Sequence, residues 1–377
     1  MQAVVLVGGE GTRLRPLTLR HPKPALPLVD RPFIRYIVDW LALHGISEVV
    51  LACGGFGADP LREALGEGDG KGPRIRYVSE DEPLGTAGPL RLAADQGLLG
   101  ERFLVLNGDL LSDLDLGALI RAHSERGAVA TLALSSVEDP SAYGLVRRAG
   151  GPTAPGANPA SAEGELLEFL EKPDPGQIDT DEVSAGAYVL ERSLVESIPP
   201  GKMVSIEREV FPRLVGQGLY GHRLEGYWMD IGTPERYLQA SWDILEGRVR
   251  TAAGTRLDGA GLLVEEGAQV DPGASINPPA LLETAVAVGA GAAVGARAVI
   301  GHHSEICEWA TVSGSVVLSD CRIGPRASVH EAILAPGVEV GEGAQIESGA
   351  VIGEGARIVA GVAIADGARL APGEVAS

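Results

Sequence analysis

The sequence predicts an α/β domain with a mostly parallel sheet, followed by a parallel β-solenoid. Three observations carry that prediction. The chain opens on a short apolar strand that runs into a Gly-rich turn, Ala3 to Arg15. Apolar runs of strand length then alternate with stretches of helical periodicity to about residue 247. From Val264 onward an aliphatic residue recurs every six positions. A period of six fits neither a helix nor an alternating strand; it fits short strands stacked as the sides of a coil.

The bulk properties agree and exclude some functions. The chain has 377 residues, enough for two domains, placed at 1–247 and 248–377. Gly is abundant at 52 residues, as repeated turns require. A formal charge of −20 argues against nucleic acid or an anionic membrane as partner, while a nucleotide needs only a few local cations. Cys53, Cys307 and Cys321 form no C-x-x-C and no disulfide framework. No signal peptide and no membrane-spanning run is visible, so a soluble cytoplasmic protein is expected.

The elements follow in order. Ala3 to Val7 is a Val-rich buried strand that opens into Gly8-Gly9-Glu10-Gly11-Thr12-Arg13-Leu14-Arg15. Such a turn lets backbone N–H groups face a phosphate with no Cβ in the way. Arg13 and Arg15 add cationic charge, and Lys23 follows on a stiff extended segment between Pro22 and Pro24. The turn is neither a dinucleotide fingerprint, since Leu14 holds the third glycine position, nor a Walker A loop, since G-K-[ST] is absent.

Pro32 to His44 has helical spacing and ends at Gly45; Ser47 to Ala52 and Arg74 to Val78 read as strands, with a short helix at Pro60 to Leu65 between them. Glu80 to Leu90 is a turn that opens a helix to about Asp95. Phe103 to Leu106 is a buried strand ending in Asn107-Gly108-Asp109. A carboxylate at the end of a core strand, beside a phosphate turn, is a candidate Mg²⁺ ligand. Asp113 and Asp115 read as the start of a helix from Leu116 to Arg126. Val129 to Leu134 is a strand, Gly150 to Gly164 a Gly/Pro-rich mobile hairpin insert, and Leu166 to Pro173 the returning strand. Val183 to Leu190 is a strand in which Gly186 permits close approach of a ligand. Ser205 to Val215 reads as a helix, although Ser205 and Arg208 make no capping box. Asp230 lies among apolar residues before a Gly-Thr turn, and a helix runs from Pro234 to about Gly247.

In the repeat the aliphatic series is Val264, Val270, Ile276, Leu282, Val288, Val294, Ile300, Ile306, Val312, Leu318, then after one-residue slips Ile323, Val329, and Leu334 onward. Glycines such as Gly289, Gly301, Gly341 and Gly353 follow the aliphatic and are expected at the turns.

The string G-G-x-G-T-R-L-x-P-L-T with K-P, and Glu171-Lys172-Pro173, resembles the signature of the sugar-1-phosphate nucleotidyltransferases. That resemblance implies a Rossmann-like nucleotidyltransferase domain and a left-handed β-helix; three hexapeptides per coil give about six coils from the repeat itself. It also implies roles. Gly8, Gly9, Gly11, Thr12 and Arg15 would bind the nucleotide, with Gly85 and Thr86 lying against it. Glu80, or else Glu82, would read the base, because a carboxylate accepts from the N1–H and 2-amino donors of guanine. Gly144, Glu171 and Gly186 would line the sugar side. Arg13, Lys23, Asp109, Lys172 and Asp230 would be catalytic, with Asp109 and Asp230 as the metal carboxylates for Mg²⁺.

Three strings, Glu82 to Leu90, Ser205 to Pro212 and Tyr227 to Pro234, resemble most the branch that joins GTP to mannose 1-phosphate. Related branches use glucose 1-phosphate with dTTP, UTP or ATP, and some relatives are non-catalytic regulatory or scaffold subunits. The retained Arg13, Lys23, Asp109, Lys172 and Asp230 favour an active enzyme. Acyltransferases share the solenoid and use a His base, which makes His302, His303 and His330 candidates for a second activity. The resemblance also implies a homo-oligomer built through the β-helix.

Overall fold

The computed structural model describes residues 1–55, 57–66, 72–153 and 161–377. It divides into two compact units, each described by itself: Met1–Gly9 with Ile37–Trp228, and Glu10–Tyr36 with Met229–Ser377.

The first unit is built on a nine-stranded sheet. Its strands are β1 (Gln2–Leu6), β2 (Glu48–Cys53), β3 (Arg74–Ser79), β4 (Arg102–Asn107), β5 (Ala130–Ser136), β6 (Gly144–Arg148), β7 (Glu163–Glu171), β8 (Glu182–Glu191) and β9 (Leu219–Arg223). The spatial order is β3-β2-β1-β4-β8-β5-β9-β7-β6. The first four are parallel neighbours; β1, β2 and β4 read as nearly unbroken apolar runs, while β3, at the edge of the sheet, carries Arg74 and Arg76. β8 enters antiparallel to both β4 and β5, and β6 and β7 form a hairpin arm pair. Residues 154–160 of the expected insert lie outside the described residues; its arms are these two strands.

The helices of this part are α1 (Phe33–Leu43), α2 (Asp59–Leu65), α3 (Gly88–Asp95), α4 (Leu116–Arg126), α5 (Arg192–Glu196) and α6 (Phe211–Leu214). Asp115 caps α4 by accepting from the Ala118 N–H at 3.0 Å, as its sequence position suggests. The core joins β-sheet aliphatics to Phe103, Phe169, Tyr188 and Phe211, and the Phe211 ring meets those of Phe169 and Tyr188 edge to face. Arg148 of β6 and Glu182 of β8 form a buried ion pair at 2.7 Å.

The expected helix over 205–215 is broken. Ile206–Val210 forms a wide π-type turn, and the α-helix begins only at Phe211. Ser205 does cap it: its hydroxyl accepts from the Arg208 N–H at 3.2 Å, and its own N–H donates to Glu209 at 3.0 Å. The wide turn moves the reciprocal acid one place along, which is why the four-residue box is missing from the sequence.

The second unit holds the remainder of the Gly-rich stretch, α7 (Pro234–Leu245) and the solenoid. The solenoid strands stack in three parallel sheets of seven, seven and six strands, the arrangement expected of a left-handed hexapeptide β-helix. Inward aliphatics and alanines fill its interior. One expected register is corrected. Val317, paired with Ile300 and Leu334, takes the inward place that the six-residue count assigned to Leu318. The five-residue step falls earlier, at the corner where Gly314 has φ 59°.

The turn glycines are also corrected. Positive φ occurs at positions such as Gly343, Gly349 and Gly355, three after the aliphatic. Gly341, just after the aliphatic, is needed for a different reason: a Cβ there would lie 2.5 Å from the Ala360 nitrogen of the next coil. α7 lies on the solenoid through Trp242, whose Nε1 donates to the Gly314 carbonyl at 3.0 Å. All three cysteines are free and buried, and burial pushes the Cys53, Cys307 and Cys321 thiols up to about 12, 11 and 12.

Candidate active site

In the first unit the parallel strands deliver backbone and carboxylates to one edge. Gly8 lies two residues beyond β1, and a Cβ on Gly54 would lie 2.6 Å from the Gly8 carbonyl, so the two chain segments meet with no side chain between them. Glu80 borders the same place. Its Oε2 accepts from the Leu84 N–H at 2.8 Å, and its Oε1 lies 3.4 Å from where a Gly8 Cβ would be. Burial pushes the Glu80 carboxyl up, against the pull of that amide. Glu82 is exposed on the turn.

Gly85 and Thr86 face protein. Gly85 has φ 75° and leaves room for the Val204 carbonyl. The Thr86 hydroxyl donates to Glu207 at 2.6 Å and accepts from the Ile206 N–H at 2.8 Å. It therefore holds Glu207, a residue the sequence reading left without a role although it lies in the string Ser205 to Pro212. Glu207 stands near Glu171. Burial and the Glu207 charge push the Glu171 carboxyl up, while Lys172 and Arg208 pull it down.

Asp109 follows Gly108, whose N–H donates to the Leu6 carbonyl at 2.9 Å, so the carboxylate stands beside the end of β1. Gly186, with φ 68°, makes room for the Asn107 amide. The phenol of Tyr188 is pushed well up by burial and by the charges of Glu207, Glu171 and Asp109, against the pull of a hydrogen bond with Ser184. Gly144 lies flat against the Phe169 ring, leaving no space for a side chain. Lys172 is exposed with φ 54°, and its N–H donates to the Tyr143 carbonyl at 2.9 Å. Tyr143 and Trp228 meet edge to face at 5.2 Å, and Trp228 donates to the Ala185 carbonyl at 2.8 Å. These two rings were missed as well.

In the second unit the Gly-rich stretch is a series of tight turns. Gly11 has φ 60°, and its carbonyl accepts from Leu14 N–H at 2.9 Å and from the Thr18 hydroxyl at 2.8 Å. Thr12 and Arg13 are exposed above the buried Leu14. Arg15 pairs with Glu10 at 3.3 Å, both exposed. Lys23 is buried and begins a 3₁₀ turn, Lys23–Ala25. This corrects the extended segment expected there: Pro24 fits the first turn of a helix as well as it fits an extended chain. The Lys23 stem packs 3.3 Å from where a Gly11 Cβ would be.

Arg13 and Asp230 meet at Gly232, where a Cβ would lie 2.7 Å from Arg13 Nη2 and 3.0 Å from Asp230 Oδ2. Arg236, a further residue that the sequence reading missed, forms an ion pair with Asp230 Oδ1. Its position follows from Thr233, which caps α7 by accepting from the Arg236 N–H at 3.4 Å.

On the solenoid, His302, His303 and Asp320 are exposed and bring ligand-type atoms within 4.8 Å of one another. His303 occupies a positive-φ corner, φ 59°, and His330 Nδ1 meets the Ser313 hydroxyl at 3.0 Å. Among the described residues, no helix is long and apolar enough to cross a membrane.

The first unit thus sets Asp109 and Glu80 beside the glycines that follow β1, and the second, by itself, sets Arg13 and Asp230 together at Gly232; groups of these kinds suit phosphate oxygens and cations. The nucleotidyl transferase family model matches residues 2–247, and the GMPPB C-terminal domain model matches 276–375. The chain belongs to the nucleotidyl transferase family. It is 40% identical over 277 residues to a mannose-1-phosphate guanylyltransferase of Mycobacterium tuberculosis, covering 71% of this chain and 72% of that one. It is 38% identical over 241 residues to the catalytic subunit beta of that enzyme in Dictyostelium discoideum, covering 63% of each. Among solved structures, HddC from Yersinia pseudotuberculosis matches with a TM-score of 0.52 at 25% identity, over 63% of this chain and 97% of that one.

Proposed function

We propose that this chain transfers the guanylyl group of GTP to mannose 1-phosphate, releasing pyrophosphate. The observation that carries the reading is the 40% identity to a guanylyltransferase over 71% of the chain, in a sequence that keeps Arg13, Lys23, Asp109, Lys172 and Asp230. A phosphate oxygen of the sugar phosphate attacks the α-phosphorus in line, and its own charge near neutral pH makes a general base unnecessary. Catalysis is then positioning and charge neutralisation. Arg13 meets the charge that develops on the transferring phosphate. Lys23 and Arg15 hold the triphosphate or the incoming phosphate, and the turn at Gly8, Gly9, Gly11 and Thr12 cradles the nucleotide. Lys172 positions the sugar phosphate, and Glu171 accepts from sugar hydroxyls. Glu80, tied by Oε2 to the Leu84 amide, presents Oε1 to the donors of guanine.

The family chemistry calls for a divalent cation, and Mg²⁺ is the ion we assign. Asp109 and Asp230 suit it as hard oxygen donors. When bound, the cation neutralises phosphate oxygens. The two segments 1–247 and 248–377 are the proposed catalytic and assembly domains, the second joining copies of the chain; light scattering of the purified protein tests that assembly.

The deciding experiment is pyrophosphate release with Mg²⁺ across GTP, dTTP, UTP, ATP and CTP against mannose, glucose and N-acetylglucosamine 1-phosphates. Strong preference for GTP with mannose 1-phosphate is expected. Preference for dTTP or UTP with glucose 1-phosphate would overturn the base assignment of Glu80 and keep the family chemistry.

A further inference from the structure

The outer face of one solenoid sheet carries an aliphatic ladder. Leu263, Leu281, Val299, Val316, Ile333 and Val351 occupy the same register position in successive coils. From Leu281 to Val351 each is buried. The next rung is Arg369, paired with Val351, and it is exposed. The sequence departs from its own pattern there, and the departure has a partner. Arg369 Nη1 donates to the carbonyl oxygens of Arg13 at 2.9 Å and of Arg15 at 2.6 Å.

Those carbonyls flank Leu14, the buried anchor of the Gly-rich turn. One coil earlier, Glu354 accepts from Arg20 at 2.9 Å and meets His21 Nε2 at 3.3 Å. Two consecutive coils therefore hold the stretch 13–21 at both ends. The Arg369 charge also reaches Glu235 at the start of α7. The Thr233 hydroxyl, Glu235's own amide and Arg369 together hold that carboxyl below the ordinary carboxylate range.

A turn rich in glycine has many conformations open to it, and a charged donor shared by two backbone carbonyls selects one. An aliphatic side chain could not do this. We infer that Arg369, assisted by Glu354, is a positioning residue for guanylyl transfer: it fixes the backbone that aims Arg13, although it touches no substrate. This rests on the role proposed above for Arg13.

The test uses the full-length protein with GTP and mannose 1-phosphate, and reads two quantities. Amide hydrogen exchange of residues 10–22 reports the clamp without reference to turnover; kcat and KM report its consequence. Arg369→Ala is expected to speed exchange in 10–22 and to lower kcat about tenfold, with KM for mannose 1-phosphate within about twofold. Arg369→Lys is expected to restore most of the kcat, since one ammonium can serve both carbonyls. Arg357→Ala, which removes an exposed pair with Glu339 elsewhere on the solenoid, is the control and should leave both readouts unchanged. Unchanged exchange in Arg369→Ala overturns the clamp whatever the activity. Faster exchange with unchanged kcat overturns the positioning role. Failure of the parent protein to turn over any pair is a failure of the functional reading instead, and the exchange data still decide the clamp.

Discussion

Asp109 illustrates what single residues give away. A carboxylate after a buried strand could be named from the sequence because both the strand and the turn are local features. Asp109→Asn is expected to lower turnover roughly a thousandfold while leaving the thermal unfolding midpoint unchanged; steady-state kinetics and calorimetry check the two halves. Thr86 is the opposite case. Its hydroxyl is engaged with Ile206 and Glu207, about 120 positions away, and nothing near Thr86 announces that. Thr86→Val leaves a part-buried N–H and a carboxylate without their partner, so a loss of about 1–3 kcal/mol is expected in urea unfolding. Arg236 and Glu207 were illegible for the same reason: each is defined by a partner that only the folded chain supplies.

Elements were legible where periodicity is long and illegible where it breaks. β1 to β5, β8 and α4 fall within a residue or two of their sequence positions, because buried apolar runs and a capping Asp are strong local signals; β7 begins three residues before its expected start, and β9, Leu219–Arg223, was not anticipated. The wide turn at Ile206–Val210 breaks a helical pattern by one residue, and no residue type encodes that. In the solenoid the six-residue count holds except at two five-residue steps, Val312 to Val317 and Val329 to Leu334, and only the first was misplaced, with Val317 taking the place of Leu318. The roles of the glycines separate by experiment. Gly341→Ala forces a Cβ against the next coil and is expected to lower the melting temperature more than Gly343→Ala, where φ is 63° and nothing lies within 4 Å. The latter should cost about 1–2 kcal/mol, the penalty of a left-handed residue alone.

At the scale of the molecule, charge decides how acid acts on it. Asp30 joins Arg31, Tyr36 and Arg256, the last of which also pairs with Glu265. Burial alone would raise the Asp30 carboxyl, but the Arg31 bond and charge, then Tyr36 and Arg256, outweigh it and hold it below 3.8. A carboxyl depressed in the native state contributes stability that is full above the unfolded value and is lost as pH falls through the lower native value. Asp30→Asn is therefore expected to be less stable than the parent at pH 7, with the gap closing below pH 3.8. Urea unfolding at a series of pH values measures it, and a gap that stays constant with pH would contradict the assignment.

The bonds from Arg369 to the Arg13 and Arg15 carbonyls span 356 and 354 positions of chain. A ribosome adding about 5–20 residues per second needs on the order of tens of seconds to cover that distance. During that interval the first turn has been made and its brace has not. Nascent chains, and fragments released early, carry the whole Gly-rich turn yet lack the coil that seats it. Synthesis thus acts as a timer: the Gly-rich turn is made long before the coil that braces it, and it is seated only once that coil has been added.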